Sequence, residues 1–358
     1  MNNNRPTICF VGNFLGRNPG YITTQGQIIA DLFSEEGYET ISISAKINKI
    51  LRLGDIVLNL IHKRKKIDLV VLEVYSGLSM VMADTTALLC KLFGLPLISV
   101  LHGGNLPNFA KKYPRWVKRV LQRSEILVAP SSFLAEELGF LGFDIAVVPN
   151  VLNIHDYPLR IRRSIAPKFI WMRSFHPLYN PQMAVRAFAK IHRNYPKSTL
   201  VMAGIDKGLE REVKQLAEDL HLENAVRFPG FLDLEAKRKE FSEAEIYLNT
   251  NKIDNMPVSV VEACAMGLPV IATEVGGLKY LITNGENGIL VSDDNADEMA
   301  DAALILLKDM DLTEKISRNG RQLAEKSSWE NVRILWESLF AEVLERKKSK
   351  VLVEKVSL

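Results

Sequence analysis

This sequence of 358 residues has little of what marks disulfide-rich or metal-centred proteins. Its only cysteines are Cys9, Cys90 and Cys264, which lie far apart and form neither a CxxC motif nor a cluster with histidine. A disulfide framework and a cysteine-based metal site are therefore excluded as organising features. We expect three buried thiols in a reducing compartment.

Long hydrophobic runs are also missing. No apolar stretch approaches the roughly 18–20 residues that a membrane-spanning helix needs. The first residues, MNNNRPTICFVG, lack a basic segment followed by an apolar one, so they do not resemble a secretory signal. The sequence predicts a cytoplasmic protein that at most rests on the inner face of a membrane.

An excess of one charge is absent as well. The 45 lysines and arginines nearly balance 42 acidic residues, which gives a net charge of +3, and nothing global indicates nucleic acid as a partner. The hydrophobic fraction of 47% is that of an ordinary globular protein. The length predicts about two domains, each with its own core.

What the sequence does contain is a repeated alternation of short apolar runs and helical patterns. TICFVG, YETISIS, IDLVVLEV, LPLISVL, EILVAP and DIAVVPN are separated by helical stretches. The alternation restarts at FIWMR after residues 153–168, a polar, proline-containing segment interpreted as a linker. Continuous apolar strands separated by helices predict parallel sheets covered on both faces. Two βα domains in tandem result, with a ligand site expected in the cleft between them.

The most informative stretch is DNMPVSVVEACAMGLPVIATEVGG, residues 254–277. Asp254 follows a predicted strand and lies just before a helix predicted at 257–266, where Pro257 suits the first turn. The N–H groups of Val258, Ser259 and Val260 would then be unpaired, and such a helix terminus attracts a phosphate.

Glu262 lies about one turn into the same helix, among apolar neighbours. From this position it would accept hydrogen bonds from hydroxyls beside the phosphate, such as a ribose diol. The alternative is a surface glutamate on an amphipathic helix.

These residues resemble the retaining GT-B glycosyltransferases of family 4, also called glycosyl transferases group 1. Their signature is a glutamate, seven residues and a second glutamate, followed by GLPVIAT and a glycine pair. Weaker matches, including VLHGGNLP, VVPNV, MRSF and MAG, extend the resemblance over nearly the whole chain. It implies two Rossmann-like domains facing across a cleft: residues 1–158 with a crossover helix at about 329–346, and residues 165–328.

The resemblance also implies roles for single residues. Glu262 matches the glutamate that holds the donor ribose, and Asp254 matches the one that contacts the transferred sugar, although aspartate is one methylene shorter. Arg173 matches the arginine that neutralises the donor diphosphate; its alternative is a structural ion pair. His102, at a strand end before two glycines, matches a histidine that orients the donor sugar, the alternative being a structural histidine.

Two positions depart from the family pattern. Relatives carry a lysine five or six residues after the arginine, whereas Tyr179 or Asn180 occupies that place here. A tyrosine donates a hydrogen bond but supplies no charge. Gly20 matches the first of two glycines that approach the donor phosphate or the acceptor, and Tyr21 replaces the second.

Residues 109–123 form a basic amphipathic stretch. Phe109, Tyr113 and Trp116 share a helical face with aliphatic residues, and six lysines and arginines occupy the rest. Such a helix is suited to an anionic membrane surface. The alternative is a core-packed helix with a solvated basic face.

The resulting prediction is a retaining hexosyltransferase, with no metal and no cofactor besides its nucleotide-diphosphate sugar donor. Its acceptor would be a glycan or a lipid-linked sugar, in the synthesis of a cell-surface polysaccharide or glycolipid. The alternatives are a nucleotide-sugar epimerase of the same fold and a non-catalytic module that binds nucleotide sugar or a membrane surface.

Overall fold

A computed structural model describes residues 5–18 and 23–356. The chain divides into two compact units. Unit 1 comprises Met1–Val151 and Val332–Leu358, and unit 2 comprises Leu152–Asn331. Both units are α/β.

Unit 1 contains a six-stranded parallel sheet in the order β2-β1-β3-β4-β5-β6. Every residue of its central third strand is buried, which is typical of a sheet covered on both faces. The strands are β1 Ile8–Val11, β2 Thr40–Ile43, β3 Leu69–Val74, β4 Leu97–Leu101, β5 Ile126–Ala129 and β6 Ile145–Val147.

Short polar side chains begin several helices of unit 1. Thr24 accepts a hydrogen bond from the N–H of Gln27, Asn48 accepts from those of Ile50 and Leu51, and Ser131 accepts from that of Leu134. The helices are α1 Gln25–Glu35, α2 Lys49–Lys63, α3 Ser79–Phe93, α4 Leu106–Lys112, α5 Pro114–Leu121 and α6 Ser132–Glu137.

Unit 2 has a second parallel sheet, in the order β12-β11-β10-β7-β8-β9. Its strands are β7 Lys168–Met172, β8 Thr199–Ala203, β9 Val226–Gly230, β10 Ile246–Asn249, β11 Val270–Thr273 and β12 Ile289–Val291. Its helices are α7 Pro181–Asn194, α8 Glu210–Asp219, α9 Leu234–Glu243, α10 Val258–Ala265, α11 Leu278–Leu281, α12 Ala296–Lys308 and α13 Met310–Glu325. The predicted pair of Rossmann-like parallel sheets is thereby confirmed.

The segment interpreted as a linker, residues 153–168, is folded onto unit 2. Arg162 is almost completely buried, and its guanidinium donates to the carbonyl of Phe241 at 3.0 Å. Its backbone N–H donates to Ser317 Oγ at 3.0 Å. The border between the units therefore lies at Val151 and Leu152, before this segment.

The last helix, α14 Trp329–Val356, belongs to unit 1 from Val332 onward. The ring of Phe340 lies 5.1 Å from that of Phe33 on α1. Tyr38 donates its hydroxyl to Glu337 at 3.0 Å. The C-terminal helix thus completes the core of the unit that the N-terminal residues begin.

All three cysteines are free and buried, as the sequence predicted. Burial raises the pKa of the Cys264 thiol to about 12, which keeps it protonated. Among the helices of the described residues, none has the length and apolar character that crossing a membrane requires.

Candidate functional site

Arg173 lies at the carboxyl end of β7, at the edge where open α/β sheets bind ligands. Its N–H donates to the carbonyl of Ala203, at the end of the neighbouring strand β8. Gly204, which follows Ala203, has a φ of +153°. A Cβ on Gly204 would lie 1.9 Å from the Arg173 carbonyl oxygen. Only glycine fits here, which explains the glycine of the MAG motif.

The Arg173 guanidinium is held on two sides. Its Nη2 lies 2.5 Å from Asp254 Oδ2, and its Cζ lies 4.1 Å from the centre of the Tyr179 ring. Tyr179 therefore does not replace the charge of the family lysine but stacks on the arginine. Arg173 Nε is buried and has no hydrogen-bond partner among the residues that the structure describes.

Asp254 is occupied as well. Its Oδ2 also accepts from Asn251 Nδ2 at 2.8 Å, and its Oδ1 accepts the N–H of Asn255 at 2.7 Å. Burial raises the pKa of Asp254, and the attraction of Arg173 opposes this shift. Burial lowers the pKa of Arg173, but Asp254, Tyr179 and Tyr247 together outweigh that effect and the net shift is upward. The guanidinium therefore stays charged.

The glycine pair at the end of the motif packs on this loop. The N–H of Gly277 donates to the Asp254 carbonyl at 2.8 Å. A Cβ on Gly277 would lie 1.5 Å from the Asn255 carbonyl oxygen, and one on Gly276 would lie 2.2 Å from the Asp254 oxygen. The pair is thus required by a close approach of two backbones that fixes Asp254.

The N-terminus of α10 offers two unpaired amides instead of the predicted three. Pro257 is the N-cap, and its carbonyl accepts the N–H of Val260 at 3.0 Å. The prediction that the N–H of Val260 is unpaired is therefore wrong, because a short turn gives this N–H an acceptor. The N–H groups of Val258 and Ser259 have no acceptor within residues 5–18 and 23–356. Ser259 Oγ accepts from the hydroxyl of Tyr247 at 2.9 Å.

Glu262 is only 7% exposed, which excludes the alternative of a surface glutamate. Its Oε1 accepts from the Tyr157 hydroxyl at 2.7 Å and from Lys237 Nζ at 2.5 Å. Burial and the charge of Glu262 raise the pKa of Tyr157, so the phenol remains a donor. The second carboxylate oxygen of Glu262 accepts no hydrogen bond from the described residues.

Sequence reasoning missed both partners of Glu262. Tyr157 lies in the segment interpreted as a linker, and Lys237 lies in LEAKRKE, a charged helical run typical of a solvated surface. Neither position carries a local signal, because the two contacts depend on how segments 105 and 25 residues away pack.

In unit 1, His102 directly follows β4 and is buried. Its ring stacks on that of Tyr75, with centres 5.0 Å apart, and its Nε2 lies 3.7 Å from Glu73 Oε1. Burial lowers the pKa of His102, and the carboxylate of Glu73 opposes this shift. The imidazole is therefore neutral near physiological pH.

Glu73, on β3, is a buried acid that sequence reasoning overlooked. Its Oε1 accepts the N–H of Gly26 at 2.9 Å and its Oε2 that of Asn13 at 3.2 Å. A Cβ on Gly12 or Gly26 would lie 2.2 Å or 2.5 Å from this carboxylate. Gly12, in the sequence VGNFLG, thus leaves room for the Glu73 carboxylate. An acid inside the apolar run IDLVVLEV was the available signal.

Gly20 lies outside the described residues. The basic stretch 109–123 forms α4 and α5, and Phe109 and Trp116 are partly buried against the core of unit 1. Trp116 Nε1 donates to Asp84 Oδ2 at 2.8 Å, and Arg123 pairs with the same carboxylate at 2.5 Å. The apolar face of this stretch is therefore used inside unit 1.

A groove of about 710 Å³ in unit 2 lies at the amino ends of its strands, whereas Arg173 follows the carboxyl end of β7. It is bordered by Lys168, Thr199 and Val226, the first residues of β7, β8 and β9, and by Glu240 of α9. Ligands of open α/β sheets bind at the carboxyl ends of strands, so its size alone does not make it the candidate site.

Comparison with known protein families gives a match within unit 2. Residues 163–323 match the family model described as Glycosyl transferases group 1. The match covers less than half of the 358 residues. The residues described above from Arg173 to Gly277 fall inside the matched range.

Known proteins match parts of this chain. It is 26% identical over 253 residues to N-acetyl-alpha-D-glucosaminyl L-malate synthase of Bacillus anthracis, covering 67% of this chain and 64% of that protein. It is 31% identical over 160 residues to D-inositol 3-phosphate glycosyltransferase of Corynebacterium urealyticum, covering 43% and 38%. The chain thus spans less than two thirds of the length of these relatives.

Solved structures share the fold of this chain over nearly its whole length. Sucrose-phosphate synthase of Thermosynechococcus elongatus aligns with a TM-score of 0.80 at 16% identity, covering 96% of this chain and all of that one. Anabaena HepE, solved in complex with UDP-glucose, aligns with a TM-score of 0.72 at 17% identity, covering 96% and 100%. At such identities the likeness establishes the GT-B fold alone.

Proposed function

We propose that this protein is a retaining hexosyltransferase that transfers a sugar from a nucleotide-diphosphate sugar to an acceptor. The observation that carries the proposal is the cluster at the carboxyl edge of the unit 2 sheet. Three kinds of group in this cluster lack a partner among the described residues: Nε of the buried Arg173, the N–H groups of Val258 and Ser259, and one carboxylate oxygen of the buried Glu262. They come from one family motif and the strand beside it.

The diphosphate would be bound by Arg173 and by the amides of Val258 and Ser259. A buried donor without an acceptor is costly, and a phosphate oxygen would satisfy Arg173 Nε. Unpaired N–H groups at a helix N-terminus favour the same charge. Since Tyr179 is uncharged, these groups replace the cation that relatives supply with a lysine.

The donor ribose would bind to the unused oxygen of Glu262. Tyr157 and Lys237 already hold Oε1, so they fix the plane of the carboxylate before any ligand arrives. A buried carboxylate held in this way accepts hydroxyl donors without reorganising, which favours affinity.

Asp254 would contact the transferred sugar once Arg173 engages the diphosphate. In the structure the two side chains are paired with each other. Donor binding therefore redistributes the hydrogen bonds of Arg173, from Asp254 alone to Asp254 and phosphate oxygens. The predicted contact of His102 with the donor sugar, and the one of Gly20 with the phosphate or acceptor, remain part of the proposal.

The chemical step follows from charge. Breaking the bond between the sugar and the diphosphate leaves negative charge on a phosphate oxygen, which Arg173 and the α10 amides would stabilise. The acceptor hydroxyl would attack from the face that the diphosphate leaves, and its proton would pass to a departing phosphate oxygen. This route retains the configuration and requires neither a covalent carboxylate intermediate nor a resident metal or cofactor.

Donor and acceptor classes are suggested by the neighbours. HepE has been solved with UDP and glucose, and the pneumococcal O-GlcNAc transferase GtfA with UDP and GlcNAc. We therefore propose a UDP-sugar as the first donor to test and a glycan or lipid-linked sugar as the acceptor, in polysaccharide or glycolipid synthesis at the inner face of a membrane.

The test is calorimetric titration of the full chain with UDP, GDP and ADP and with their sugars. Glu262→Ala removes the ribose contact and should weaken the effective nucleotide roughly 100-fold, since a hydrogen bond to a charged group contributes about 1.5–3 kcal/mol. Glu212→Ala, an exposed acid on α8, is the matched control and should bind normally.

Unchanged affinity in folded Glu262→Ala would refute the ribose assignment. Transfer to an acceptor, followed by determining the configuration of the product, then separates three outcomes. Product with retained configuration supports the proposal. Isomerised donor without acceptor would indicate an epimerase, and binding without any turnover would indicate a binding module.

A further inference from the structure

Helix α2 of unit 1 exposes an apolar stripe that its core packing does not explain. One face buries Ile56 and Leu60. On the opposite face four large aliphatic side chains are between 36% and 81% exposed: Ile50, Leu51, Leu58 and Ile61. A helix that is apolar all round is normally buried on both sides. The outer face of α2 therefore lacks a partner within the described residues.

Helix α3 repeats the pattern. It buries Met80, Ala83, Ala87 and Cys90. On its outer side four aliphatic residues, beginning just before the helix, are between 41% and 69% exposed: Leu78, Val81, Leu88 and Leu92. Single exposed aliphatic residues are ordinary, but two aligned stripes are not.

The two stripes lie on neighbouring helices. Helices α2 and α3 contact each other. Near their C-termini the guanidinium of Arg64 lies 5.3 Å from the centre of the Phe93 ring. We call the eight aliphatic residues of the two stripes the α2–α3 face.

The two segments that carry this face are rich in cations and contain few acids. The segments 46–66 and 78–93 contain two acidic residues, Asp55 and Asp84. Asp55 accepts from Asn59, and Asp84 is paired with Arg119 and Arg123. The basic residues of the two segments include Lys49, Lys63, Arg64, Lys65, Lys66 and Lys91.

We propose that the α2–α3 face docks on an anionic membrane surface. Aliphatic side chains on a helix face enter the boundary between head groups and acyl chains, while lysines and arginines beside them attract acidic lipids. This surface differs from the stretch 109–123, whose aromatic face packs inside unit 1. The proposal does not depend on the donor site, which lies in unit 2.

Charge decides against a second copy of this chain as the occupant. Two such faces brought together would place the basic residues of both copies near each other, with few acids to pair with them. The aliphatic character of the stripes also gives a nucleic acid no aromatic surface for stacking.

The experiment is co-sedimentation of the full chain with vesicles. One set contains phosphatidylcholine alone, and the other contains phosphatidylcholine with phosphatidylglycerol. The protein should sediment with the anionic vesicles and not with the neutral ones, and added salt should weaken binding because it screens surface charge. Absence of binding to anionic vesicles at low salt would overturn the proposal.

Three double variants assign the surface. Lys65→Glu with Lys66→Glu should weaken binding roughly 30-fold or more, because each cation near the surface contributes about fivefold. Leu58→Gln with Leu92→Gln should weaken it about tenfold through lost apolar burial. Lys308→Glu with Lys326→Glu, which makes the same charge change on exposed residues of unit 2, should leave it nearly unchanged.

Two results would contradict the proposal. Full binding by the leucine variant would show that the aliphatic stripes do not contact lipid. A dimer of the unmodified chain in sedimentation-velocity analysis, dissociated by the same leucine variant, would show that a second copy covers the face. Circular dichroism of each variant verifies that it is folded, which all of these exposed positions should allow.

Discussion

The two units each place a buried glutamate near the carboxyl edge of a parallel sheet, and the two are bound in opposite ways. Both oxygens of Glu73 in unit 1 accept backbone N–H groups, those of Gly26 and Asn13. Glu262 in unit 2 receives two side-chain donors on one oxygen, Tyr157 and Lys237, and its other oxygen is unused.

This difference separates a structural acid from a ligand-binding one. Both carboxylate oxygens of Glu73 are used to join the end of β1 to the start of α1. Removing Glu73 would therefore leave the amides of Asn13 and Gly26 without an acceptor. Of the two donors to Glu262, Tyr157 is buried and Lys237 is partly exposed, and an acceptor remains for a ligand. Burial alone does not distinguish the two residues; the type of partner does.

The largest effect on stability is expected from exchanging the two glutamates for alanine. Glu73→Ala should lower the free energy of unfolding by about 4 kcal/mol, because one buried and one partly buried N–H group would lose their acceptor. Glu262→Ala should cost only about 2 kcal/mol, because the Tyr157 hydroxyl loses its acceptor but the partly exposed Lys237 can turn to water. Urea unfolding followed by circular dichroism measures both. Equal losses would remove the distinction.

The glycines around Glu73 sharpen the same comparison. A Cβ at Gly26 would lie 2.5 Å from Glu73 Oε1, whereas a Cβ at Gly54 on α2 meets nothing within 4 Å. Gly26→Ala should therefore destabilise unit 1 by about 2 kcal/mol through overpacking. Gly54→Ala, its control, should stabilise by roughly 0.5–1 kcal/mol through helix propensity. A stable Gly26→Ala protein would show that the carboxylate moves readily.

On the ligand-binding side, Lys237→Met should weaken nucleotide binding about fivefold, or about 1 kcal/mol, because the plane of Glu262 loses one of its two anchors. The control is Lys239→Met, an exposed lysine of the same helix. Isothermal titration with the nucleotide that binds the unmodified protein gives both affinities. An unchanged affinity for Lys237→Met would leave Tyr157 as the sole anchor.

The smallest effect concerns His102 beside Glu73. Because burial lowers the pKa of His102 below its ordinary 6.5, the unfolded chain takes up a proton that the folded protein refuses. This contribution to stability is present above the ordinary pKa and is lost as the pH falls through it. When the pH falls from about 7.5 to about 5.5, the free energy of unfolding of the unmodified protein should therefore fall. For the His102→Gln variant this fall should be smaller by up to about 1 kcal/mol. Parallel unfolding curves at both values would contradict this.

The sequence by itself determined the fold class and the elements that carry the motif. Apolar runs such as IDLVVLEV predicted strands buried on both faces, and residues 254–277 predicted a loop, a helix, a strand and a second turn in that order. Asp254 and Glu262 were found because a charged residue after a strand or in an apolar helix requires a polar partner, whereas Arg173 was found through the resemblance to family 4 glycosyltransferases.

Tertiary structure alone decided how those charges are satisfied. That Asp254 pairs with Arg173, that Tyr179 stacks on the arginine, and that Lys237 meets Glu262 depends on side chains brought together from distant segments. Local patterns specify periodicity and chain direction, whereas such pairs depend on the positions of whole strands and helices. For the same reason the linker interpretation of residues 153–168 failed to foresee the burial of Tyr157 and Arg162.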